Sequence, residues 1–201
     1  MQVISDKIEM KPIHIKGVVV ESRSRIPEIT AYLESTLDQL QSLKYFIDDV
    51  FDAQEAFEIL SEDLPDGPIK GQKEYFINDI IRLCKLFSDL QISSNMNLRI
   101  QIVKTNLCRL FHEDYYRQRL LCTYLGPGTQ WLDESNANRE GLGKGCNSNI
   151  VKDFNKINKA NEFDVLLLKG AKYGNEELSV IHRSPPIEKM RTTRVLLKID
   201  E

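Results

Sequence analysis

Apolar residues recur at steps of three and four along two stretches of the N-terminal half of the chain. One series covers 26–51 and the other covers 76–90, and this spacing is typical of amphipathic helices. Pro27 suits the first turn of the first helix, where the missing N–H of proline costs nothing. The stretch 61–68, rich in acidic residues and proline, predicts a loop between the helices, and the apolar run 17–20 predicts a strand ahead of them.

In the C-terminal half the period changes to two, which indicates extended chain. Apolar residues alternate with mostly polar ones at 97–103. Further strands are predicted at 118–125, 163–169, 177–182 and 194–199. The Asn-rich stretch 133–162 predicts a long loop with a short helix near 149–158.

Helices followed by strands favour an α+β fold, with helices packed outside a β-sandwich or barrel. We expect a single domain, 1–201, which is long enough for a sizeable core. Residues 1–95 are expected to be mainly helical. Residues 96–201 are expected to be β-rich and to carry the functional site.

The composition is that of an ordinary soluble protein, with 41% hydrophobic and 28% charged residues among 201. With 27 basic and 30 acidic residues, it gives no general signal for nucleic acid, although Tyr115, Tyr116 and Arg117 form a small cluster that could stack a base. The sequence lacks an apolar run of the ~20 residues that a membrane span needs, and it lacks the apolar core of a signal peptide. We therefore expect a cytoplasmic protein that acts on a small molecule or a protein, without a membrane.

Few residues of the chain are candidates for metal ligands. The four cysteines form no CxxC pair, and only Cys108, four residues before His112, has a spacing that a zinc site could use. The histidines are His14, His112 and His182. Because His14 has no carboxylate at metal-ligand spacing, a histidine-dependent site is expected to use the other two.

The segment Phe111–Asp114 has the order His-x-Asp after a predicted strand. Positions i and i+2 of an extended chain point to the same side, so His112 and Asp114 can both reach one metal ion. With His182 they would form a two-histidine, one-carboxylate triad, which leaves positions open on Fe(II). The alternative is that His112 and Asp114 form only a surface hydrogen bond.

Two arginines, Arg191 and Arg194, follow His182. Arg194 opens the apolar run 195–199, the predicted last strand. A guanidinium there could hold a dicarboxylate co-substrate by a bidentate pair, or it could be a solvated strand residue. Spacing alone leaves both interpretations open.

Four blocks of the sequence resemble a bacterial family, the domain-of-unknown-function family numbered 1826. Its motifs FHxD, RLLxTYxGPGTxWL, LLKG and HRSPP…R fall at Phe111–Asp114, Arg119–Leu132, Leu167–Gly170 and His182–Arg194. Several blocks in the right order make this resemblance specific. It implies no biological role, because the family has none established.

The order of His-x-Asp, a second histidine and a strand-opening arginine is also similar to Fe(II)/2-oxoglutarate dioxygenases of the phytanoyl-hydroxylase type. That resemblance implies a double-stranded β-helix, the jelly-roll or cupin-like fold, with N-terminal helices packed on one sheet. It implies His112, Asp114 and His182 as iron ligands. It implies Arg194 as the 2-oxoglutarate anchor, with Arg191 as the alternative.

Other residues of the β-rich region are candidates for the same site. Tyr124 could hydrogen-bond the co-substrate or be a core tyrosine, and Trp131 could line the pocket or pack in the core. Arg119 could contact substrate or pair with a buried carboxylate. Arg139, in the polar loop, could meet a substrate anion.

Three functions are consistent with these patterns. The first is an Fe(II)- and 2-oxoglutarate-dependent oxygenase. The second is a non-catalytic metal-binding module on a cupin-like scaffold, linked to zinc homeostasis, with Cys108 as a further ligand. The third is an interaction domain that keeps the scaffold without metal, since one fold serves many functions.

Overall fold

Nine strands and three α-helices occur in the portion of the chain that the computed structural model describes, residues 17–47, 51–90, 95–173 and 179–201. The helices are α1 (Pro27–Thr36), α2 (Ala53–Asp63) and α3 (Gln72–Leu90). The strands are β1 (Val18–Glu21), β2 (Leu43–Ile47), β3 (Met96–Val103), β4 (Gln118–Leu125), β5 (Gln130–Trp131), β6 (Asn158–Lys159), β7 (Val165–Lys169), β8 (His182–Arg183) and β9 (Arg194–Asp200).

Six strands form one large antiparallel sheet in the order β1-β7-β4-β9-β3-β2. Both of its edge strands, β1 and β2, come from the region of the chain that is expected to be mainly helical. The other three strands form a small sheet in the order β6-β5-β8. His112 pairs with His182 of β8, so the connection between β3 and β4 extends this small sheet by one residue.

The side chains of the large sheet alternate between two buried layers. Leu120, Leu167 and Leu197 pack against the helices, whereas Leu121 and Leu166 pack toward the small sheet. Because both faces are covered, the central strands are almost continuous apolar runs. The buried polar residues of β4 and β9 all lie on the second face: Arg119, Thr123, Arg194 and Asp200. The polar chemistry of the sheet is therefore concentrated between the two sheets.

The helix α3 confirms the second helical series. Phe76, Ile80, Cys84 and Phe87 lie on one side of it and are 0% exposed, so α3 covers the large sheet with a continuous apolar stripe. None of the described helices is long and apolar enough to cross a membrane.

The first helical series is only partly correct, because α1 ends at Thr36 and residues 43–47 form the edge strand β2. The step of seven from Leu40 to Ile47 marks the change of structure. In β2, Tyr45 packs against the helical core while Lys44 points away from it. In β2 the backbone pairs with β3, and the apolar residues at every second position face the helical core.

The strands at 118–125 and 194–199 are confirmed. Of the strand at 177–182, only His182 belongs to a strand, residues 179–181 do not, and residues 177–178 lie outside the described residues. Through the stretch 149–158 the chain forms short 3-10 turns and the beginning of β6 in place of the predicted helix. The side chains of Asn136, Asn138 and Asp153 bond to backbone groups of this stretch that a helix would need. Asn136 alone donates to two carbonyls of this stretch, those of Asp153 and Lys156.

Candidate metal centre

Three potential metal ligands meet at the edge of the small sheet. His112 and Asp114 lie in the connection between β3 and β4, and His182 opens β8. The backbone N–H of each histidine donates to the carbonyl oxygen of the other at 3.0 Å, which holds the two segments side by side. As a result, one ligand atom from each of the three residues lies within 4.8 Å of the other two.

Hydrogen bonds select the histidine nitrogens that face this site. Nδ1 of His112 lies 2.9 Å from the carbonyl oxygen of Leu110, and Nδ1 of His182 lies 3.2 Å from that of Val180. Because a carbonyl only accepts, each Nδ1 carries a proton and each neutral ring presents the lone pair of Nε2. These Nε2 atoms lie 3.6 and 3.0 Å from the carboxylate oxygens of Asp114. Lone pairs and a carboxylate repel one another unless a proton or a metal cation lies between them, so the residues fit a divalent metal that takes the place of the proton.

The same contacts change the protonation of the site. Hydrogen bonding to Asp114 raises the pKa of His112 above its ordinary value, although burial opposes this shift. At Asp114 burial acts to raise the pKa, but hydrogen bonds from both histidines and the charge of Arg119 hold this pKa well below its usual range. Asp114 is therefore an ionised carboxylate, the form that binds metal.

Arg119 braces Asp114 from inside the large sheet. Its Nη1 donates to Oδ2 of Asp114, and its Nε and Nη2 donate to Oδ2 of Asp200 at 3.2 and 3.0 Å. Arg119 is 5% exposed, and these bonds engage all three nitrogens of its guanidinium. The structure therefore assigns it the pairing with buried carboxylates, in place of the predicted contact with substrate.

Arg139 holds the residue between the two ligands of the His-x-Asp segment. Its guanidinium donates to Glu113, to Glu134 and, at 2.8 Å, to the carbonyl oxygen of Ser179. The hydroxyl of Ser179 also donates to Glu113. These bonds tie the His-x-Asp turn to the segment that leads into His182. The anions that Arg139 meets are thus protein carboxylates and not the predicted substrate anion.

Arg194 opens β9 and is 1% exposed. Its Nη2 donates to the hydroxyls of Thr123 and Thr129 at 2.8 and 2.7 Å, while its Nη1 is buried without a hydrogen-bond partner. No carboxylate of the described residues pairs with it, and burial lowers the pKa of Arg194 to about 10. Arg191, in contrast, is exposed at the end of a turn with a φ of 49°. Of the two candidate anchors, Arg194 is the one inside the fold.

Tyr124 and Trp131 lie in different layers. Tyr124 is 0% exposed, and its hydroxyl donates to Oδ2 of Asp79 on α3 at 2.7 Å. Of the two roles predicted for Tyr124, these contacts agree with the core one, because strand alternation turns it to the face opposite Thr123. Trp131 pairs in register with His182 and packs between the two sheets, where it lies in the same layer as Arg194.

Two predicted alternatives gain no support. Cys108 is exposed, and the group of potential ligands among the described residues contains His112, Asp114 and His182 without it. His14 lies outside the described residues. Sequence reasoning missed Asp200, although its place in β9, an even number of residues after Arg194, puts it on the same face of the strand.

Comparison with known proteins bears on family and fold. The family model described as "Protein of unknown function (DUF1826)" matches residues 15–200, and no curated protein matches the sequence. Among solved structures, the chain is similar to a dioxygenase for auxin oxidation in rice, with a TM-score of 0.52 and 12% identity over 87% of this chain and 67% of that one. It is also similar to the Fe(II)/α-ketoglutarate-dependent dioxygenase TqaL, with a TM-score of 0.44 and 13% identity over 87% and 74% of the two chains. At 12% identity, the likeness to the rice protein concerns the fold alone.

Proposed function

The chain belongs to the family of proteins of unknown function DUF1826, and we propose that it is a non-haem Fe(II)- and 2-oxoglutarate-dependent oxygenase. The observation that carries the proposal is Arg194, whose buried Nη1 lacks a partner. Arg194 lies on the same sheet face as Arg119, which contacts the potential metal ligand Asp114. Metal-binding residues alone suit many functions. A buried guanidinium that has no carboxylate partner in the protein needs a counter-charge, and an anionic ligand would supply it.

His112 and His182, through Nε2, and the carboxylate of Asp114 would hold the metal. Fe(II) bound by two histidines and one carboxylate keeps open positions and supplies the redox chemistry that dioxygen needs. The backbone carbonyls of Leu110 and Val180 orient the two rings, and such outer contacts raise the basicity of ligating histidines. Arg119 holds the carboxylate of Asp114 in place by a bond to Oδ2.

Arg194 would bind the distal carboxylate of 2-oxoglutarate. Its Nη1 is available, and Thr123 and Thr129 fix the guanidinium through Nη2. A carboxylate brought to this position would compensate a charge that burial now destabilises, so the site has much to gain from a dianionic ligand. Trp131 packs in the same layer between the sheets and helps to exclude water from it.

The strand order supports a jelly-roll, or double-stranded β-helix, core. Four central strands of the large sheet, in the order β7-β4-β9-β3, would face a second sheet made of β6, β5, β8 and the residue His112. Two sheets of four strands are the plan of a jelly roll. The likeness in fold to the rice auxin dioxygenase agrees with this arrangement.

The proposal is tested by anaerobic binding, measured by calorimetry, of Fe(II) and then of 2-oxoglutarate to the full chain. We expect His182→Ala to lose Fe(II) binding. Arg194→Gln should keep Fe(II) binding but lose 2-oxoglutarate binding at least about tenfold, the worth of a charge-assisted hydrogen bond. Arg191→Gln is the matched control and should bind both like the wild type, and the loaded wild type should form succinate in air.

Two results would overturn the proposal. One is 2-oxoglutarate binding that is unchanged in Arg194→Gln, and the other is metal binding that is unchanged in His182→Ala. Tight zinc binding without any binding of 2-oxoglutarate would instead favour a non-catalytic metal-binding module. Circular dichroism and thermal unfolding of each variant separate loss of binding from loss of fold.

A further inference from the structure

Three cationic side chains lie directly opposite one another across neighbouring strands of the large sheet. Lys44 of β2 pairs with Arg99 of β3, and Arg99 pairs with Lys198 of β9. All three alternate with residues that pack on the helices, so they point to the face of the sheet that bears Arg119 and Asp200. We call Lys44, Arg99 and Lys198 the cationic row.

The cationic row is poorly neutralised by the protein. Two of its members have Asp200 as an ion-pair partner, but Arg99 Nη1 and Lys198 Nζ each lie 3.9 Å from Oδ2 of that residue, beyond hydrogen-bond distance. The same oxygen already accepts two hydrogen bonds from Arg119. No carboxylate of the described residues pairs with Lys44. Arg99 and Lys198 thus share with Arg119 the carboxylate of Asp200, of which only Oδ1 is without a hydrogen bond.

This arrangement is unfavourable for folding alone. Like charges directly opposite on adjacent strands destabilise a sheet, and here the pairs lie partly out of water. Burial and the nearby Arg119 lower the pKa of Lys198, and Asp200 and Asp114 offset this only in part. A ligand that brings negative charge would remove the repulsion.

Exposure falls along the row toward the candidate metal centre. Lys44 is exposed, the side chain of Arg99 is 27% exposed and that of Lys198 is 16% exposed. Beyond Lys198 lies Arg119, at 6%, whose guanidinium contacts the potential ligand Asp114 and stacks 3.8 Å from the ring centre of Tyr116. The row therefore leads from solvent to the inner contacts of the metal centre, as an electrostatic path for an anion does.

We propose that the cationic row binds the primary substrate through an anionic group, a carboxylate or a phosphate, and that Arg99 and Lys198 are its principal contacts. That the anion belongs to a substrate rests on the proposed oxygenase function. Anion binding by the row depends on neither metal nor 2-oxoglutarate. The row is separate from Arg194, so a substrate anion and the co-substrate would be held by different residues.

The test uses the full-length, metal-free chain and two probes, inorganic phosphate and acetate, titrated separately at constant ionic strength. Amide chemical shifts in the NMR spectrum report both the affinity and the place of binding. The test variant is the double substitution Arg99→Gln with Lys198→Gln. The matched control, Lys70→Gln with Lys85→Gln, removes the same number of charges from exposed residues elsewhere.

We expect at least one probe to shift amides of β3 and β9, and its affinity to fall about tenfold or more in the test variant. The affinity should be unchanged in the control, and the tighter probe names the anionic group. The thermal midpoint of the test variant should equal or exceed that of the wild type, because repulsion has been relieved.

The proposal is overturned if neither probe binds the wild type, if the test variant binds as the wild type does, or if the control loses as much affinity. Loss of affinity in Arg194→Gln alone would place the anion at Arg194 instead. A midpoint lowered by the test variant well below that of the control would mean that the row has a structural role. Because no metal is present, none of these results can be confused with failure of the oxygenase proposal.

Discussion

Two arginines with little exposed side chain, on opposite faces of the large sheet, have opposite surroundings. Arg23, on the helix face, donates to both carboxylate oxygens of Asp79 at 2.8 and 3.1 Å and to the carbonyl oxygen of Phe163 at 2.9 Å. Arg194, on the face toward the small sheet, contacts threonine hydroxyls and keeps one nitrogen without a partner. Arg23 therefore has its counter-charge within the protein, whereas Arg194 does not.

The pKa values follow this difference. Burial acts to lower the pKa of both arginines, but at Arg23 the neighbouring Cys122 and Asp79 outweigh it and raise the pKa well above the ordinary value. At Arg194 burial prevails. Burial of an arginine is therefore no sign of function by itself. A buried arginine without a counter-charge does indicate function, because its charge destabilises the protein until a ligand supplies the counter-charge.

The largest expected effect comes from removing each arginine in turn. Arg23→Met leaves Asp79 buried with only Arg82 and Tyr124 as partners, and we expect a loss of about 3–5 kcal/mol in the free energy of unfolding. Arg194→Met removes an uncompensated charge and should cost less than about 1 kcal/mol, or stabilise the protein. Urea denaturation of the two variants and the wild type at neutral pH measures both.

Equal destabilisation by the two substitutions would contradict the comparison. It would mean that Arg194 contributes to the fold as Arg23 does, and that its free nitrogen has no functional meaning. Far-ultraviolet circular dichroism of each variant provides the control for retained secondary structure.

Acid should weaken the helix face through Asp79. Burial opposes the shift, but Arg23 above all lowers the pKa of Asp79. A carboxyl whose folded pKa is below its unfolded value, about 3.9, contributes stability above that value and loses it as the pH falls through the folded pKa. We expect the free energy of unfolding to fall between about pH 5 and pH 2, and to fall less in Arg23→Met. Parallel pH profiles for the two proteins would show that Arg23 does not control this titration.

Tyr124→Phe tests the role of this tyrosine in the core between the large sheet and the helices. The hydroxyl donates to Asp79, so its removal should cost about 1–2 kcal/mol of unfolding free energy. Binding of Fe(II) and 2-oxoglutarate should be unchanged, because Tyr124 faces the helices. Tyr115→Phe, at a residue that is 76% exposed, is the control. Loss of 2-oxoglutarate affinity without loss of stability would restore the co-substrate contact.

The case of Tyr124 shows where sequence reasoning succeeds and where it fails. Local periodicity predicts β4 and β9, and the types and order of His112, Asp114 and His182 predict the ligand group. The sequence leaves two roles open for Tyr124, because it does not show which helix covers the face of the strand that bears Tyr124. Period alone also merged α1 and β2 into one helix.

The partners of the charged residues were also beyond reach of the sequence. Asp200 is 81 residues from Arg119, and Asp79 is 56 residues from Arg23. Strand register and helix packing determine such pairs, and no local motif contains them. Pairing with a carboxylate decides whether an arginine is structural or is available to bind a ligand. Residue type therefore predicts the candidates for the site, whereas their roles depend on long-range contacts.

The smallest expected effect is at Arg82, the outer partner of Asp79. Its Nη2 lies 2.9 Å from Oδ1 of Asp79, and its side chain is 35% exposed. Water and salt screen a pair this exposed, so Arg82→Gln should cost less than about 1 kcal/mol and the cost should vanish near about 1 M salt. The cost of Arg23→Met should persist there, because its bidentate pair with Asp79 is buried. Unfolding by urea at low and high sodium chloride compares the two. Equal salt dependence would mean that the inner and outer arginines are screened alike, and that burial does not separate structural pairs from surface ones in this protein.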